Sequence, residues 1–94
     1  MASSPQLRSR IQVNADVLCQ NLNGEAVLLN LKTGVYFGLD PVGSRVWQLL
    51  ASHAVLAEIL DVMVAEYDVP RERCAEDLIA LVNEMQKQEL VTLT

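Results

Sequence analysis

Histidine and cysteine are scarce in this chain, and its twelve acidic residues fall mainly on the polar faces of predicted helices, where nothing pairs them as an acid and a base. His53 is the single histidine, and the two cysteines, Cys19 and Cys74, lie far apart without the paired spacing of metal ligands. Neither cysteine has a CxxC partner or a nucleophile signature, so small apolar packing roles are favoured for both. Gly34 and Gly38 lack the spacing and the following helix of a phosphate-binding loop. We therefore predict no catalytic residues, no metal site and no cofactor.

Charge is distributed unevenly along the chain. The net charge is −5, and residues 51–94 carry nine of the twelve acidic residues but three of the seven basic ones. Nucleic-acid binding requires clustered lysine and arginine, which this acidic half lacks. The apolar runs are too short for a membrane span, the polar start lacks the apolar core of a signal peptide, and two cysteines make no disulfide framework. We expect a cytoplasmic protein that binds neither nucleic acid nor a membrane.

The length is that of a single domain, because 94 residues leave no room for a second hydrophobic core. The serine-rich start, residues 1–10, predicts a flexible tail, and residues 11–94 predict the folded domain. Capping residues and apolar spacing predict the elements of the second half. These are a helix that begins at Asp40-Pro41, a helix over residues 56–67, a helix that Pro70 opens and an extended segment over residues 90–93.

Two turns predict a three-stranded antiparallel meander over residues 17–39. Asn23-Gly24 favours a type I′ hairpin, because both residues tolerate positive φ, and it pairs Leu18 with Leu29. For the second turn, a three-residue loop with Gly34 in the left-handed region gathers apolar residues on one face, which a two-residue loop does not. The residues expected on that inward face are Leu18, Val27, Leu29, Leu31, Val35, Phe37 and Leu39, with Leu29 paired to Phe37.

Three strands and three helices predict an α+β fold of winged-helix-like form, in which the three-stranded antiparallel sheet packs on a three-helix layer. The third strand would lie at the sheet edge over residues 35–39. It carries none of the charges or prolines that usually protect an edge strand. Either another part of the chain or a partner strand must therefore cover it.

The run GEAVLLNLKTGVYFGLDPVGSRVWQLL, followed by LAEILDVMVAEYDVP and CAEDLIALVNEMQKQELV, resembles the PqqD family of pyrroloquinoline quinone synthesis proteins. The likeness covers about residues 17–93, and its most specific parts are TGVYFGLDPVG and the helix that contains Trp47. The same pattern occurs in peptide-binding proteins of lasso-peptide and other modified-peptide pathways. Pyrroloquinoline quinone biosynthesis is the leading interpretation of the pathway, and lasso-peptide or other modified-peptide maturation is the alternative.

The resemblance implies a non-catalytic peptide chaperone, also called a precursor-peptide recognition element. In that family the leader segment of a precursor peptide adds a strand to the sheet beside the third helix, and the domain presents it to a modifying enzyme such as a radical SAM protein. An unprotected edge beside a helix is also the setting that strand addition requires. The implied peptide-binding residues are Val35, Tyr36, Phe37, Gly38 and Leu39 on the strand, with Ile79, Val82 and Gln86 on the helix.

Two functions of other classes compete with this one. A winged-helix DNA-binding regulator would need a basic recognition helix, but the third helix has Arg71, Arg73 and Lys87 among five acidic residues from Glu72 to Glu89. A structural protein would instead pair its edge strand with a second copy in a homodimer, which would leave no edge for a peptide.

Overall fold

The computed structural model describes residues 5–53 and 55–94. Strands β2, β3 and β4 form an antiparallel sheet in that order, and β1 pairs with β5 in a separate antiparallel ribbon. The α+β class with three helices and a three-stranded meander is therefore confirmed. The elements are β1 (Ile11–Val13), β2 (Val17–Leu22), β3 (Glu25–Asn30), β4 (Tyr36–Gly38), α1 (Pro41–Leu50), α2 (Leu56–Glu66), α3 (Arg71–Lys87) and β5 (Val91–Leu93).

The β2–β3 hairpin follows its turn residues. Asn23 and Gly24 have φ angles of 55° and 83°, the left-handed values that a type I′ turn requires. The Asn21 side chain accepts the Gly24 N–H at 3.1 Å. Leu18 pairs with Leu29, so the predicted register of this hairpin is confirmed.

The β3–β4 hairpin differs from the expected register by one residue. Leu28 pairs with Phe37, where the predicted three-residue loop would have paired Leu29 with Phe37. A shift of one residue exchanges the two faces of a strand. Ala26 and Leu28 are therefore the buried residues of β3, so the predicted face is wrong for that strand, while Leu39 is buried and Phe37 packs against the core as predicted. The exposed members of that predicted face are Leu18, Leu31 and Val35.

Asn30 accounts for this shift. Its side-chain oxygen accepts the N–H groups of Lys32 and Thr33 at 2.9 and 3.3 Å, and its carbonyl accepts the N–H of Gly34 at 2.7 Å. These bonds close a loop over residues 31–34, longer than the predicted one. Gly34 is nevertheless left-handed as expected, with a φ of 75°.

The same Asn30 side chain joins the hairpin to the end of α3. Its amide nitrogen donates to the carbonyls of Gln88 and Glu89 at 3.2 and 3.0 Å, and the residue is 1% exposed. Buried polar side chains in proteins generally have hydrogen-bond partners, and here both ends of the Asn30 amide have them. Sheet and helix layer are thus held together by a polar contact as well as by packing.

Glu89 ends α3 in the left-handed region, with a φ of 58°. The N–H of Leu90 donates to the Met85 carbonyl at 2.9 Å and the N–H of Glu89 to the Gln86 carbonyl at 3.1 Å. This pair of bonds is the Schellman motif, in which glycine usually holds the left-handed position. Asn14 donates to the Glu89 carbonyl from the opposite side.

Helix α1 begins as its sequence predicts. The Asp40 carboxylate accepts the N–H of Gly43 at 2.7 Å, and Pro41 occupies the first turn. The hydroxyl of Ser44 is buried and accepts the N–H of Ala26 at 2.6 Å. The start of α1 is therefore fixed to β3 immediately after β4 ends.

The N-terminal segment from Pro5 differs from the expected flexible tail. The carbonyls of Leu7 and Ser9 accept the N–H groups of Ala57 and Leu56 at 2.8 and 3.1 Å, which satisfies the start of α2. Pro5 is buried. The first four residues of the expected tail lie outside the described residues.

We expect Asn30→Ala to lower the free energy of unfolding by about 2–4 kcal/mol, because four hydrogen bonds lose their partner and each contributes roughly 1 kcal/mol. Denaturation in urea measures this loss. Asn83→Ala is the control, since Asn83 is half-buried on α3 and alanine favours a helix. Equal losses at both positions would contradict the role given to Asn30.

We expect Glu89→Gly to raise the free energy of unfolding by up to about 1 kcal/mol, because glycine avoids the left-handed strain of a residue with a Cβ. Glu84→Gly, at an exposed position within α3, should lower it by about 1 kcal/mol. Urea denaturation of both variants gives the comparison. A Glu89→Gly protein as destabilised as Glu84→Gly would show that no strain is relieved.

Candidate functional site

The free edge of β4 is the first component of the site. Val35 accepts a hydrogen bond from β3 at 3.0 Å and Leu39 donates one to β3 at 2.8 Å. Main-chain groups alternate along a strand, so Phe37 also faces β3. The N–H and C=O groups of Tyr36 and Gly38 therefore point away from the sheet.

Within the described part of the chain, β4 has β3 as its one strand partner. The tail strand β5, which could have covered the open edge, pairs instead with β1 through Ile11 and Leu93. The edge is thus open within one subunit. An open edge presents main-chain groups that can pair with an added strand.

An apolar groove of about 430 Å³ is the second component, and it lies between the start of α1, the α2–α3 loop and α3. It begins at Asp40, two residues beyond the end of β4. Its side chains combine a buried floor with exposed valines at the rim. The apolar lining residues are Val42, Val46, Met63, Tyr67, Val69, Cys74, Leu78 and Leu81.

The groove wall at Cys74 is electrically neutral at pH 7. Burial raises the pKa of the Cys74 thiol, the nearby Asp77 carboxylate raises it further, and Arg71 opposes both effects. The thiol therefore stays protonated and behaves as a small apolar group. Asp40, Asp77 and Arg73 are the charged residues of the lining, which gives it one more acidic than basic side chain.

The three residues predicted for the helix wall lie in different surroundings. Val82 is fully buried in the core, so its side chain has no surface to offer. Ile79 is half-buried against the core, and Gln86 lines a separate cavity of about 440 Å³ beside β5. Cys74, Leu78 and Leu81 are the apolar residues that α3 contributes to the groove.

Sequence analysis missed the contributions of α1 and the α2–α3 loop to the groove. Val42 was expected to pack inward but is 47% exposed, and Val69 is 40% exposed. Val69 lies between Asp68 and Pro70, where an apolar residue contributes nothing to a turn. Single exposed apolar residues are common on protein surfaces, so the sequence alone carried no signal that these two valines share a groove.

Metal-ligand clusters and membrane-spanning helices are two features that the described part of the chain lacks. Among residues 5–53 and 55–94, no cluster of three or more histidine, cysteine, aspartate or glutamate side chains could hold a metal ion. Over the same ranges, no helix has both the length and the apolar character needed to cross a bilayer. Recognition by main chain and apolar surface is what the described geometry can perform.

Comparison with known proteins gives matches to one family model and to two solved structures. The model of coenzyme PQQ synthesis protein D (PqqD) matches residues 25–91. A structure of TbiB1 in complex with the TbiA(beta) leader peptide is 40% identical, covers 85% of this chain and 93% of its own, and has a TM-score of 0.81. A structure of lasso peptide synthetase B1 complexed with the leader peptide has a TM-score of 0.78 at 21% identity, covering 87% of this chain and 96% of its own. The second likeness shows the fold alone. Comparison with curated protein sequences finds no match.

We expect the Cys74 thiol to react with a maleimide at higher pH in the folded protein than in the urea-unfolded protein. The reactive species is the thiolate, and a raised pKa lowers the thiolate fraction at any given pH. The measurement uses a Cys19→Ser variant, in which Cys74 is the single thiol. Identical pH–rate profiles for folded and unfolded protein would contradict the burial of this thiol.

Proposed function

We propose, from the premise that this chain belongs to the PqqD family, that it is a recognition element for the leader segment of a ribosomally made precursor peptide. The main support for this proposal is that the main-chain N–H and C=O groups of Tyr36 and Gly38 point outward, next to an apolar groove. Strand addition supplies affinity through the main chain, and side-chain pockets supply selectivity.

In this geometry, one part of the bound peptide pairs with β4 and another part enters the groove. The peptide main chain pairs with Tyr36 and Gly38, and its alternate side chains lie on opposite faces of the extended sheet. Side chains on the face of Phe37 lie toward the helix layer. A peptide that continues past Gly38 reaches Asp40 and the groove, where an apolar side chain is buried.

Maturation of a lasso peptide or another modified peptide is better supported as the pathway than quinone synthesis. Both solved structures similar to this chain contain a leader peptide, and one of them is a lasso peptide synthetase B1. Neither is described as a quinone-synthesis protein. In this proposal the domain is non-catalytic, and a separate enzyme modifies or cleaves the peptide that it presents.

Binding of the fluorescently labelled TbiA(beta) leader peptide tests the proposal. We expect Tyr36→Pro to weaken binding by at least about tenfold, because proline removes an outward N–H that the added strand needs. The inward hydrogen bonds of β4 stay intact, so the variant should remain folded. Fluorescence anisotropy measures the affinity, and circular dichroism checks the fold.

Cys19→Pro is the matched control for this experiment. It removes an outward N–H from β2, the opposite edge of the same sheet, and should leave peptide affinity unchanged. Equal binding by the wild type and a folded Tyr36→Pro variant would show that the peptide does not add to β4. Loss of binding in Cys19→Pro alone would place the peptide at β2.

A further inference from the structure

Among residues 5–53 and 55–94, β2 has β3 as its one strand partner, which gives the sheet a second open edge that is longer than the edge at β4. Every residue from Leu18 to Leu22 is exposed. The strand VLCQNL has no charge and no proline, in a chain of which 20% is charged. Natural proteins usually protect a free edge with such residues or cover it. An unprotected edge of this length can pair with another strand.

The main-chain groups available at this edge are those of Cys19 and Asn21. The N–H of Leu31 donates to the Asp16 carbonyl at 2.8 Å at the start of the β2–β3 ladder. Main-chain groups point alternately to the two sides of a strand, so those of Cys19 and Asn21 point away from β3. Val17 also faces outward, but a local turn already uses its N–H.

We propose that the partner is a second copy of this chain, paired antiparallel along β2 about a two-fold axis through Gln20. In this register the outward groups of Cys19 pair with those of the partner's Asn21, and the reverse pair forms by symmetry. The exposed Leu18 faces the partner's Leu22 on the same side of the sheet. The two Gln20 side chains meet at the axis.

Among the neighbouring two-fold registers, this one matches leucine with leucine and uses every available main-chain group. Moving the axis to Cys19 places Leu18 opposite the partner's Gln20 and brings the occupied Val17 N–H into the ladder. Moving it to Asn21 places Leu22 opposite the partner's Gln20 and brings turn residues into the ladder. When the axis passes through Gln20, leucine faces leucine, and the N–H and C=O groups of both Cys19 and Asn21 in each copy are used. No charged side chain of β2 opposes another across it.

The proposed dimer is compatible with peptide binding and does not rest on it. Joining the two sheets through β2 gives the strand order β4-β3-β2-β2-β3-β4, with both β4 edges at the outer ends. Each subunit thus keeps its edge and its groove. A dimer in which β4 paired with the β4 strand of the second copy would behave differently, because a bound peptide would compete for that edge and dissociate it.

Sedimentation velocity across micromolar to millimolar concentrations tests the interface. We expect the wild type to form a dimer and Gln20→Lys to be monomeric, because the substitution places like charges opposite each other at the axis. Gln12→Lys, at an exposed position on β1, is the matched control and should dimerise like the wild type. The TbiA(beta) leader peptide should not dissociate the wild-type dimer.

Gln20→Cys in a Cys19→Ser background provides a second measurement. Residues at the axis form a non-hydrogen-bonded pair with Cα atoms about 4.5 Å apart, within the range of a disulfide. We expect oxidation to link two copies through Cys at this position, while Gln12→Cys in the same background stays unlinked. A wild type that is monomeric throughout and a Gln20→Cys variant that does not link would overturn the proposal. A dimer that Tyr36→Pro or the leader peptide dissociates would also overturn it.

Discussion

The buried side chain of Asn30 is the constraint on which the geometry of this protein depends. Its oxygen holds the β3–β4 loop and its nitrogen holds the end of α3, so one amide has both of its functions satisfied. This contact fixes the β3–β4 register, which in turn decides that Tyr36 and Gly38 direct their main-chain groups outward. A register one residue different would direct those of Phe37 outward instead.

The two edges of the same sheet are open for different reasons and suit different partners. The β4 edge is short and leads to an apolar groove, which fits a single extended segment. The β2 edge is longer, uncharged and exposed along nearly its whole length, which fits a flat partner such as another sheet. Because β3 separates the two edges, occupation of one leaves the main-chain groups of the other free.

Local chemistry was readable from the sequence, and long-range contacts were not. Asn23-Gly24 and the Asp40 cap use bonds within a few residues, and both were predicted. The predicted hairpin register placed Asn30 on the face opposite the apolar one, and its partners at Gln88 and Glu89 are 58 and 59 residues away. A helical wheel shows which residues of α3 form an apolar stripe. It does not show which residues at the two sides of that stripe line the groove, because that depends on how α3 packs.

The chemistry of the groove limits how the protein can select among peptides. Main-chain pairing along β4 accepts almost any extended sequence, so it cannot discriminate. Charge contributes one bias, since Asp40 and Asp77 outnumber Arg73 in the lining and the Cys74 thiol stays protonated, which disfavours an acidic side chain there. The remaining selectivity must come from the size and shape of the apolar side chain that enters the groove. Apart from Asp77, the exposed acidic residues of the helices lie outside the groove lining, where they favour a basic partner protein.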